Sequence, residues 1–390
     1  MRIGIDARFL GPKGKGLGRY TQRLIEELER IDSQNQYVIF LRRENWDDYR
    51  PASDNFKKTL ADYPWYSFAE QIYLPFKIYQ QKIDLMHFPH FNVPVFYFGR
   101  FVVTIHDLIL RHFKTRRASL LGPAGYWVKN LVYRMVIWLA VRRAQKIITV
   151  SNYVKEDIID AFGVAEGRVV VTYEGAPIVS SKLPPKARLA KGGKVQSSKS
   201  TSDNYKIDRL YLLYVGNAYP HKNLERLIEA FEILVKKYNQ DIQLVLVGED
   251  DYFYRRLKHE AKTSILASME VLQRIVFAGF VNDGDLEHLY DGAALYVFPS
   301  LCEGFGLPPL EAMAHGLPVV SSDKTCLPEI LGNAAFYFDG LDANDIAQKI
   351  EKVLSDENLR LALVSRGYEQ IKKYSWQKMA EEMLGIYVSI

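Results

Sequence analysis

The chain has 390 residues, of which 48% are hydrophobic and 25% are charged, and its formal net charge at pH 7 is +5. This length exceeds the size at which one hydrophobic core usually keeps growing, so we expect two globular domains with ample core. The only two cysteines, Cys302 and Cys326, exclude a disulfide framework and lack the spacing of a metal site, which is typical of a reduced cytosolic setting.

The chain begins with an apolar segment that predicts a β-strand over residues 2–5. A strand that starts at once leaves no room for a signal peptide, which needs an apolar core and a cleavage site. We therefore expect a cytoplasmic protein that is not secreted by that route.

The first half of the chain alternates strand-like runs with helical patterns. A helix is expected over residues 19–30, a long helical region follows residue 105, and further strands are expected over residues 37–41, 85–88, 101–105, 147–150 and 169–173. Short apolar strands that alternate with helices are typical of a parallel sheet covered on both faces. This half is therefore expected to form an α/β domain.

A glycine-rich segment separates the first strand from the first helix and contains Gly11, Gly14, Gly16 and Gly18. It fits either a loop that binds phosphate or a flexible turn. A dinucleotide fingerprint fits poorly, because Thr21 stands where the third glycine of that motif belongs. Gly16 and Gly18 are the candidate ligand-binding positions.

His106 stands at the end of the strand expected over residues 101–105 and is followed by Asp107. Such a histidine is either a hydrogen-bonded structural residue or a group that contacts substrate. Asp107 can orient its imidazole or cap the next segment.

Residues 108–155 contain no aspartate or glutamate but many basic residues, namely Arg111, Lys114, Arg116, Arg117, Lys129, Arg134, Arg142, Arg143 and Lys146. Aromatic residues are interspersed among them, and no apolar run approaches the roughly 20 residues that span a bilayer. Residues 111–146 are thus a candidate for peripheral contact with an anionic membrane. A solvated helix with aromatic core contacts explains the pattern equally well, whereas nucleic acid is not expected because no binding module accompanies the charge.

Residues 180–206 are rich in Ser, Lys, Gly and Pro and lack an apolar period, which predicts a linker or mobile loop. We therefore expect a first domain over residues 1–180, a linker over 181–207 and a second domain over 208–374.

A second series of alternating elements follows. Strands are expected over residues 210–215, 242–247, 275–278 and 295–298, and helices over 224–238, 253–270, 286–290 and from about Pro308 onward. The chain is therefore expected to contain two doubly wound domains in tandem. Ligands of open parallel sheets bind beyond the carboxyl ends of the strands, so two such domains would enclose an interdomain cleft.

Polar residues follow the first strand of this series. Gly216 and Asn217 come directly after it, Lys222 is placed to meet a diphosphate, and Asn223 can cap the next helix. A solvated surface lysine is the alternative for Lys222.

A glycine-rich turn between two glutamates follows the strand over residues 295–298. Gly304 and Gly306 let the backbone approach a ligand closely, and the helix that follows offers N–H groups and a positive dipole end to a diphosphate. Glu311, which we place in the first turn of that helix, can accept hydrogen bonds from sugar or ribose hydroxyls. Such a site holds a nucleotide-activated sugar. Alternatively, Glu303 caps the helix and Glu311 only offsets its dipole.

Residues 303–311 and 314–320 together resemble the paired-glutamate signature of retaining GT-B glycosyltransferases of family 4. Residues 16–20, 327–329 and 374–376 extend the resemblance over nearly the whole chain. The resemblance implies two Rossmann-like domains that face a cleft, a last helix over residues 375–390 that packs on the first domain, and no cofactor besides the sugar donor.

The resemblance also implies roles for the glycine-rich turn. Glu303 and the backbone of Gly304, Phe305 and Gly306 would fix the transferred sugar. The helix amides near Leu307 would help to neutralise the donor diphosphate. Because the transfer passes through an oxocarbenium-like state, stabilisation of the leaving diphosphate is a principal task of catalysis.

Other family positions carry over individually. Glu311 would hold the ribose hydroxyls, Lys222 would stabilise the leaving diphosphate, and His106 would contact the transferred sugar from the first domain. The glycines at 16 and 18 would approach the donor phosphate or the acceptor. Many family members have Arg directly after the glycine at 216, whereas Asn217 stands here, so one expected positive charge is missing.

The turn after the strand at 275–278 would frame the nucleobase through Phe280 and Val281, although core packing explains Phe280 equally well. Asp283 and Asp285 spell the D-x-D of metal-dependent transferases of another fold. We interpret these aspartates as helix caps instead and expect no metal.

The expected function is transfer of a hexose, with mannose from GDP-mannose as the first choice, to a hydroxyl of a glycan or lipid-linked acceptor in bacterial cell-surface polysaccharide synthesis. UDP-sugars remain open as donors. The alternatives are a nucleotide-sugar epimerase of the same fold and a non-catalytic scaffold of a glycan-assembly complex.

Overall fold

The computed structural model describes residues 1–11, 14–113, 123–176, 204–263 and 268–390. The chain divides into two compact units. The first contains Met1–His112, Ser119–Gly175 and Tyr374–Ile390, and the second contains Phe113–Ala118 and Ala176–Lys373.

The first unit is built on a sheet of seven parallel strands in the order β3-β2-β1-β4-β5-β6-β7. The strands are β1 Arg2–Asp6, β2 Gln36–Leu41, β3 Phe56–Leu60, β4 Leu85–Phe88, β5 Phe101–Ile105, β6 Ile147–Thr149 and β7 Val169–Val171. The strand order reverses between β1 and β4, which are direct neighbours. This order is that of a doubly wound fold.

Among the described residues, the first unit has five helices before residue 176: α1 Lys15–Ile31, α2 Phe68–Gln80, α3 Ile109–His112, α4 Pro123–Arg143 and α5 Asn152–Phe162. One hydrophobic cluster joins Leu74 of α2 and Ile137 of α4 to the sheet residue Phe88, and a second cluster contains Leu24 of α1. Helix α1 begins four residues earlier than the predicted start at residue 19. The elements β3 and α2 were not predicted.

The second unit is built on a sheet of six parallel strands in the order β10-β9-β8-β11-β12-β13. The strands are β8 Leu210–Val215, β9 Ile242–Val247, β10 Ile275–Gly279, β11 Leu295–Phe298, β12 Val319–Ser322 and β13 Ala335–Phe338. The order again reverses in the middle, here between β8 and β11. The expected fold of two doubly wound α/β units is therefore confirmed.

The helices of the second unit are α6 Leu224–Lys236, α7 Tyr252–Lys262, α8 Met269–Leu272, α9 Asp283–Gly292, α10 Leu307–Ala314, α11 Leu327–Leu331, α12 Ala343–Ser355 and α13 Glu357–Ile371. The single helix predicted over residues 253–270 is thus two helices, α7 and α8, and residues 264–267 between them lie outside the described residues. Residues 181–203 of the linker predicted over residues 181–207 also lie outside the described residues.

The last helix, α14 Trp376–Val388, belongs to the first unit. Its residues Met379, Met383 and Tyr387 are buried in the same hydrophobic cluster as Leu24 of α1. The Tyr387 hydroxyl also lies 2.6 Å from His87 Nδ1 at the centre of the sheet. The C-terminal segment is therefore an integral layer of the first unit.

Candidate active site

The loops that follow β8 and β11 leave the second sheet side by side at its carboxyl edge. Because the strand order reverses between these two strands, the connections after them run to opposite faces of the sheet and leave a crevice, which is where ligands of doubly wound sheets bind. Lys222 lies in the loop after β8, and Glu303 lies in the loop after β11. The fold thus places two of the predicted site residues at the expected binding position.

Hydrogen bonds tie these two loops together. Asn223 Nδ2 donates to the carbonyl oxygens of Pro299, at 3.1 Å, and of Gly340, at 2.7 Å. The Leu301 amide donates to the His221 carbonyl at 2.7 Å. Asn223 was predicted to cap α6, but its side chain makes no cap hydrogen bond, since its left-handed backbone (φ 61°) turns the amide toward the β11 loop. Its role is to fix Lys222 relative to Glu303.

Lys222 and Glu303 form an ion pair with 2.5 Å between Nζ and Oε1. Their side chains are only 14% and 11% exposed, and Nζ also lies 5.6 Å from the centre of the Phe298 ring. Burial, together with the Lys222 ammonium, lowers the pKa of the adjacent His221 to about 4. A neutral imidazole at physiological pH leaves Lys222 as the cation of this loop.

The backbone around Glu303 is held by residues that follow β12. The Glu303 amide donates to Thr325 Oγ1 at 3.1 Å, and the Cys326 thiol donates to the carbonyl oxygens of Glu303, at 3.3 Å, and Phe305, at 3.4 Å. Burial raises the pKa of Cys326 well above its ordinary value, so the thiol keeps the proton that it donates. These contacts hold the turn from Glu303 to Phe305, whose residues are buried.

Helix α10 begins at Leu307, directly after Gly306, whose φ of 99° favours glycine. A Cβ on Gly306 would also come within 3.0 Å of Leu327 Cδ2. No side chain caps this end of the helix, but Pro308 and Pro309 carry no N–H group, so the tip offers fewer donors than an ordinary helix. The amide of Leu307 is the first one that the helix itself presents.

The prediction that Glu311 lies in the first turn is wrong. The helix starts at Leu307, which makes Glu311 its fifth residue and places it one turn further along. Its Oε2 accepts a hydrogen bond of 3.1 Å from the Tyr290 hydroxyl, and the Tyr290 ring stacks on His315 with 5.1 Å between ring centres. The carboxylate is therefore half-buried and oriented by a neighbouring helix.

The remaining candidates of the second unit lie at the ends of β8 and β10. A Cβ on Gly216 would come within 2.6 Å of the Tyr214 hydroxyl, so a larger residue does not fit there. The Tyr214 hydroxyl donates a hydrogen bond of 2.8 Å to the Asn217 carbonyl. Phe280 is 78% exposed, which excludes core packing as its role, whereas Val281 is 6% exposed. The Val281 side chain is thus not available to a ligand.

The aspartates after β10 are not helix caps as predicted. The Asn282 side chain caps α9 by accepting a hydrogen bond from the Asp285 amide at 3.0 Å, and Asp283 and Asp285 stand in the first turn, where they complement the helix dipole. Across the described ranges, no group of three or more His, Cys, Asp or Glu side chains is placed to hold a metal ion.

Comparison with known proteins identifies the family. The profile of the family described as "Glycosyltransferase Family 4" matches residues 14–178, and that described as "Glycosyl transferases group 1" matches residues 198–370. O-antigen chain mannosyltransferase B of Escherichia coli is 30% identical over 312 residues, which are 78% of this chain and 74% of that protein. The chain belongs to the group 1 glycosyltransferases of family 4.

Two further comparisons extend over the whole glycosyltransferase. O-antigen chain mannosyltransferase RfbU of Salmonella typhimurium is 24% identical over an alignment of 397 positions that covers 99% of each protein. The crystal structure of Anabaena Alr3699/HepE in complex with UDP matches with a TM-score of 0.70 at 18% identity and covers 100% of both chains. This structural likeness confirms the expected GT-B fold.

In the first unit of this glycosyltransferase, His106 directly follows β5. Its Nε2 lies 3.0 Å from the Pro89 carbonyl and therefore carries a proton, because a carbonyl only accepts. Its Nδ1 lies 3.0 Å from Glu174 Oε1. The imidazole is thus oriented by Glu174 rather than by Asp107, which accepts a hydrogen bond from the Ile109 amide at the start of α3. Both ring nitrogens are engaged.

A second histidine, His87, lies behind His106 and was not a candidate. It is fully buried between Thr104 Oγ1, at 2.8 Å from Nε2, and the Tyr387 hydroxyl. Burial, together with the nearby His106, lowers the pKa of His87 to about 3. A permanently neutral His87 links the sheet to α14 and has a structural role.

Gly16 and Gly18 lie in the first turn of α1 and not in a loop, because the helix already begins at Lys15. A Cβ on Gly18 would come within 2.2 Å of the Gly11 carbonyl oxygen and 2.8 Å of that of Phe9, so this glycine permits close packing of the helix on the segment after β1. A Cβ on Gly16 would meet nothing within 4 Å. Of the two, only Gly16 is open to a ligand.

Proposed function

We propose that this glycosyltransferase transfers mannose from GDP-mannose, with retention of configuration, to a hydroxyl of a glycan or lipid-linked acceptor in cell-surface polysaccharide synthesis. The names of two relatives, matched over 74% and 99% of their own length and both O-antigen chain mannosyltransferases, support mannose and a polysaccharide product. Family membership supports retention and the use of a nucleotide sugar.

The observation that carries this proposal is the Lys222–Glu303 ion pair at the crevice between β8 and β11. Glu311 lies on α10, the helix that follows the Glu303 turn. An ammonium group has three N–H donors, and the bond to Glu303 uses one of them. Lys222 can therefore bind an oxygen of the donor diphosphate while it remains bonded to Glu303. The low exposure of the pair strengthens this attraction, because little water screens it.

We assign the sugar and the ribose to the two carboxylates. A carboxylate accepts hydrogen bonds at both oxygens. Glu303 Oε2 would therefore accept a hydrogen bond from a sugar hydroxyl while Oε1 remains bonded to Lys222. Glu311, oriented by the Tyr290 hydroxyl, would accept from the ribose hydroxyls. The amide of Leu307 and the backbone of Gly304, Phe305 and Gly306 would complete the site.

The nucleobase is assigned to the end of β10. Phe280, with 78% of its surface exposed, would stack on or flank the base, and the main chain of Val281 would contact its edge. Gly216 and Asn217 would line the diphosphate. In the first unit, His106 would contact the transferred sugar, and Gly16 would offer its backbone to the donor phosphate or the acceptor.

We also propose that residues 111–146 contact an anionic membrane surface from the cytoplasmic side, where lipid-linked acceptors are located. No helix in the described ranges has the length and apolar content to cross a bilayer. Arg134 and Arg142 on α4 are exposed, as a contact with lipid headgroups requires. Lys114, Arg116 and Arg117 lie outside the described residues.

A thermal-shift panel of GDP, UDP and their hexose conjugates tests the donor assignment. A ligand that binds only the folded protein at about 100 times its Kd adds about 2.7 kcal/mol of stability, so GDP-mannose is expected to raise the Tm clearly while UDP-sugars have little effect. A shift with UDP-glucose and none with GDP-mannose would contradict the donor. Product analysis with labelled donor and no acceptor is the control, because an epimerase would interconvert free nucleotide sugars.

A further inference from the structure

The solvent-facing side of α2 is apolar, the reverse of an ordinary surface helix. The inner side of α2 packs Leu74 and Ile78 into the core of the first unit. Its outer side carries large apolar side chains that are between 44% and 90% exposed, namely Phe68, Ile72, Tyr73, Phe76 and Tyr79. The apolar residues thus continue around the helix and are not explained by the fold.

Two neighbouring segments expose further large apolar side chains. The loop between β4 and β5 presents Phe96 and Phe98, which are 56% and 76% exposed. The outward stripe of α4, at helical spacing, presents four more that are between 48% and 66% exposed, namely Trp127, Leu131, Met135 and Trp138. Isolated exposed apolar residues are ordinary, but a contiguous group of this size marks an interaction surface.

Contacts show that the three segments adjoin. The Phe98 amide donates to the Tyr79 hydroxyl of α2 at 2.9 Å. On the other side, the guanidinium of Arg143 from α4 lies 4.8 Å from the centre of the Phe98 ring and donates to the Val95 carbonyl at 2.8 Å. The loop therefore lies between α2 and α4. We call the exposed apolar residues of α2, this loop and α4 the aromatic surface.

Basic residues outnumber acidic ones in the segments that carry the aromatic surface, although Asp107 lies between them. Between residues 66 and 106 the only acids are Glu70 and Asp84, and residues 108–155 contain none. Glu70 is fully buried and bonded to Arg8. Exposed cations stand beside the apolar residues, namely Arg100, Arg134 and Arg142, and the last of these lies 5.8 Å from the Trp138 ring.

We propose that the aromatic surface docks on a bilayer that contains anionic lipid. Phenylalanine and leucine side chains would enter the boundary between headgroups and acyl chains, tryptophan and tyrosine would lie at headgroup level, and the arginines would pair with anionic headgroups. This inference deepens the membrane contact proposed for residues 111–146, on which its charged part rests. It adds an apolar contribution to membrane binding from α2 and the loop of residues 96–98. It does not depend on which nucleotide sugar is the donor.

Flotation of the full chain with vesicles, without nucleotide, tests the proposal. Vesicles of phosphatidylcholine alone are compared with vesicles of equal parts phosphatidylcholine and phosphatidylglycerol, each at low and high salt. We expect binding to the anionic vesicles, a part of which persists at high salt because salt screens charge but not apolar insertion. The fluorescence of Trp127 and Trp138 should shift to shorter wavelength on binding.

Two double variants separate the apolar part from the charged part. Phe68→Ser with Phe76→Ser should lower the partition coefficient about tenfold or more and remove the binding that persists at high salt. Arg134→Gln with Arg142→Gln should lower it about fivefold for each charge at low salt only. The matched controls are Tyr252→Ser with Met269→Ser, which are exposed in the second unit, and Arg23→Gln with Arg30→Gln on α1.

Thermal melting and circular dichroism of each variant establish that it is folded. Equal binding to neutral and anionic vesicles, or an unchanged partition coefficient for folded Phe68→Ser with Phe76→Ser, would overturn the proposal. A parent protein that forms a dimer in solution and does not bind vesicles, together with dissociation of that dimer in Phe68→Ser with Phe76→Ser, would also overturn the proposal. A second copy of the chain would then cover the surface. An unchanged partition coefficient at low salt for folded Arg134→Gln with Arg142→Gln would overturn the charged part of the proposal and, with it, the contact of residues 111–146.

Discussion

Replacement of Lys222 by methionine is expected to reduce kcat/KM for sugar transfer by about 10²- to 10³-fold, which corresponds to removal of one pre-organised donor to a developing negative charge. Methionine keeps the length of the side chain but cannot stabilise the departing diphosphate. The substitution also leaves the Glu303 carboxylate, 11% exposed, without its 2.5 Å partner. Steady-state kinetics with labelled GDP-mannose measure the effect.

A matched control separates catalysis from loss of an ion pair. Lys236 on α6 forms an ion pair of similar length, with 2.6 Å between its Nζ and Glu232 Oε1, but its side chain is 52% exposed and lies outside the proposed site. Lys236→Met should leave kcat/KM unchanged. If Lys222→Met lowers the Tm yet retains the parent kcat/KM, the pair is structural and the role proposed for Lys222 is wrong.

Replacement of Arg8 by methionine is expected to lower the free energy of unfolding by about 3–5 kcal/mol, the typical cost of removing one partner of a buried ion pair. Arg8 is fully buried after β1, with 2.7 Å from Nε to Asp6 Oδ1 and 2.6 Å from a terminal nitrogen to Glu70 Oε1. Burial alone would lower the pKa of Arg8, but the two carboxylates raise it. The guanidinium is therefore permanently charged.

Urea unfolding monitored by circular dichroism measures this loss. Burial raises the pKa of Glu70, so removal of Arg8 leaves a carboxyl group that is costly to ionise. Adding Glu70→Gln should therefore recover part of the stability lost in Arg8→Met. Arg23→Met, which breaks an exposed pair on α1, is the control and should cost less than about 1 kcal/mol. Equal losses in the two single variants would contradict the role of the buried network.

The fold was largely predictable because most strands are continuous apolar runs. The strands Phe101–Ile105 and Leu295–Phe298 have the predicted bounds, since strands buried on both faces carry their signal in every residue. The strand β3 was missed because Phe56–Leu60 contains two lysines, and it lies at the edge of the sheet, where one side is solvated. Helix α2 was missed because it contains Pro75 and apolar residues on its outer face, which hide the helical period.

The site was predictable in composition but not in geometry. The sequence indicates that Lys222, Glu303 and Glu311 belong together, but it does not indicate that Lys222 and Glu303 bond to each other. That pairing depends on Asn223, whose side chain was expected to cap a helix and instead reaches the β11 loop. From the sequence, Cys326 was used only to predict a reduced setting, although its thiol hydrogen-bonds to the carbonyl oxygens of Glu303 and Phe305 and holds that turn.

Helix starts account for two further differences. A glycine-rich segment favours neither helix nor loop by itself, so residues 15–18 were assigned to the loop before α1, although packing of Gly18 on the Gly11 carbonyl makes them helical. At α10, the helix start fixes Glu311 in the second turn, where Tyr290 can reach it. Both contacts join residues that the sequence separates, so neither can be inferred from local pattern.

The most direct measurement is a crystal structure of the protein with the nucleotide that gives the largest thermal shift. We expect the diphosphate beside Lys222 Nζ and the Leu307 amide, with the ribose hydroxyls on the Glu311 carboxylate. A nucleotide bound away from the crevice between β8 and β11, with the Lys222–Glu303 pair and Glu311 untouched, would contradict the assignment of this site.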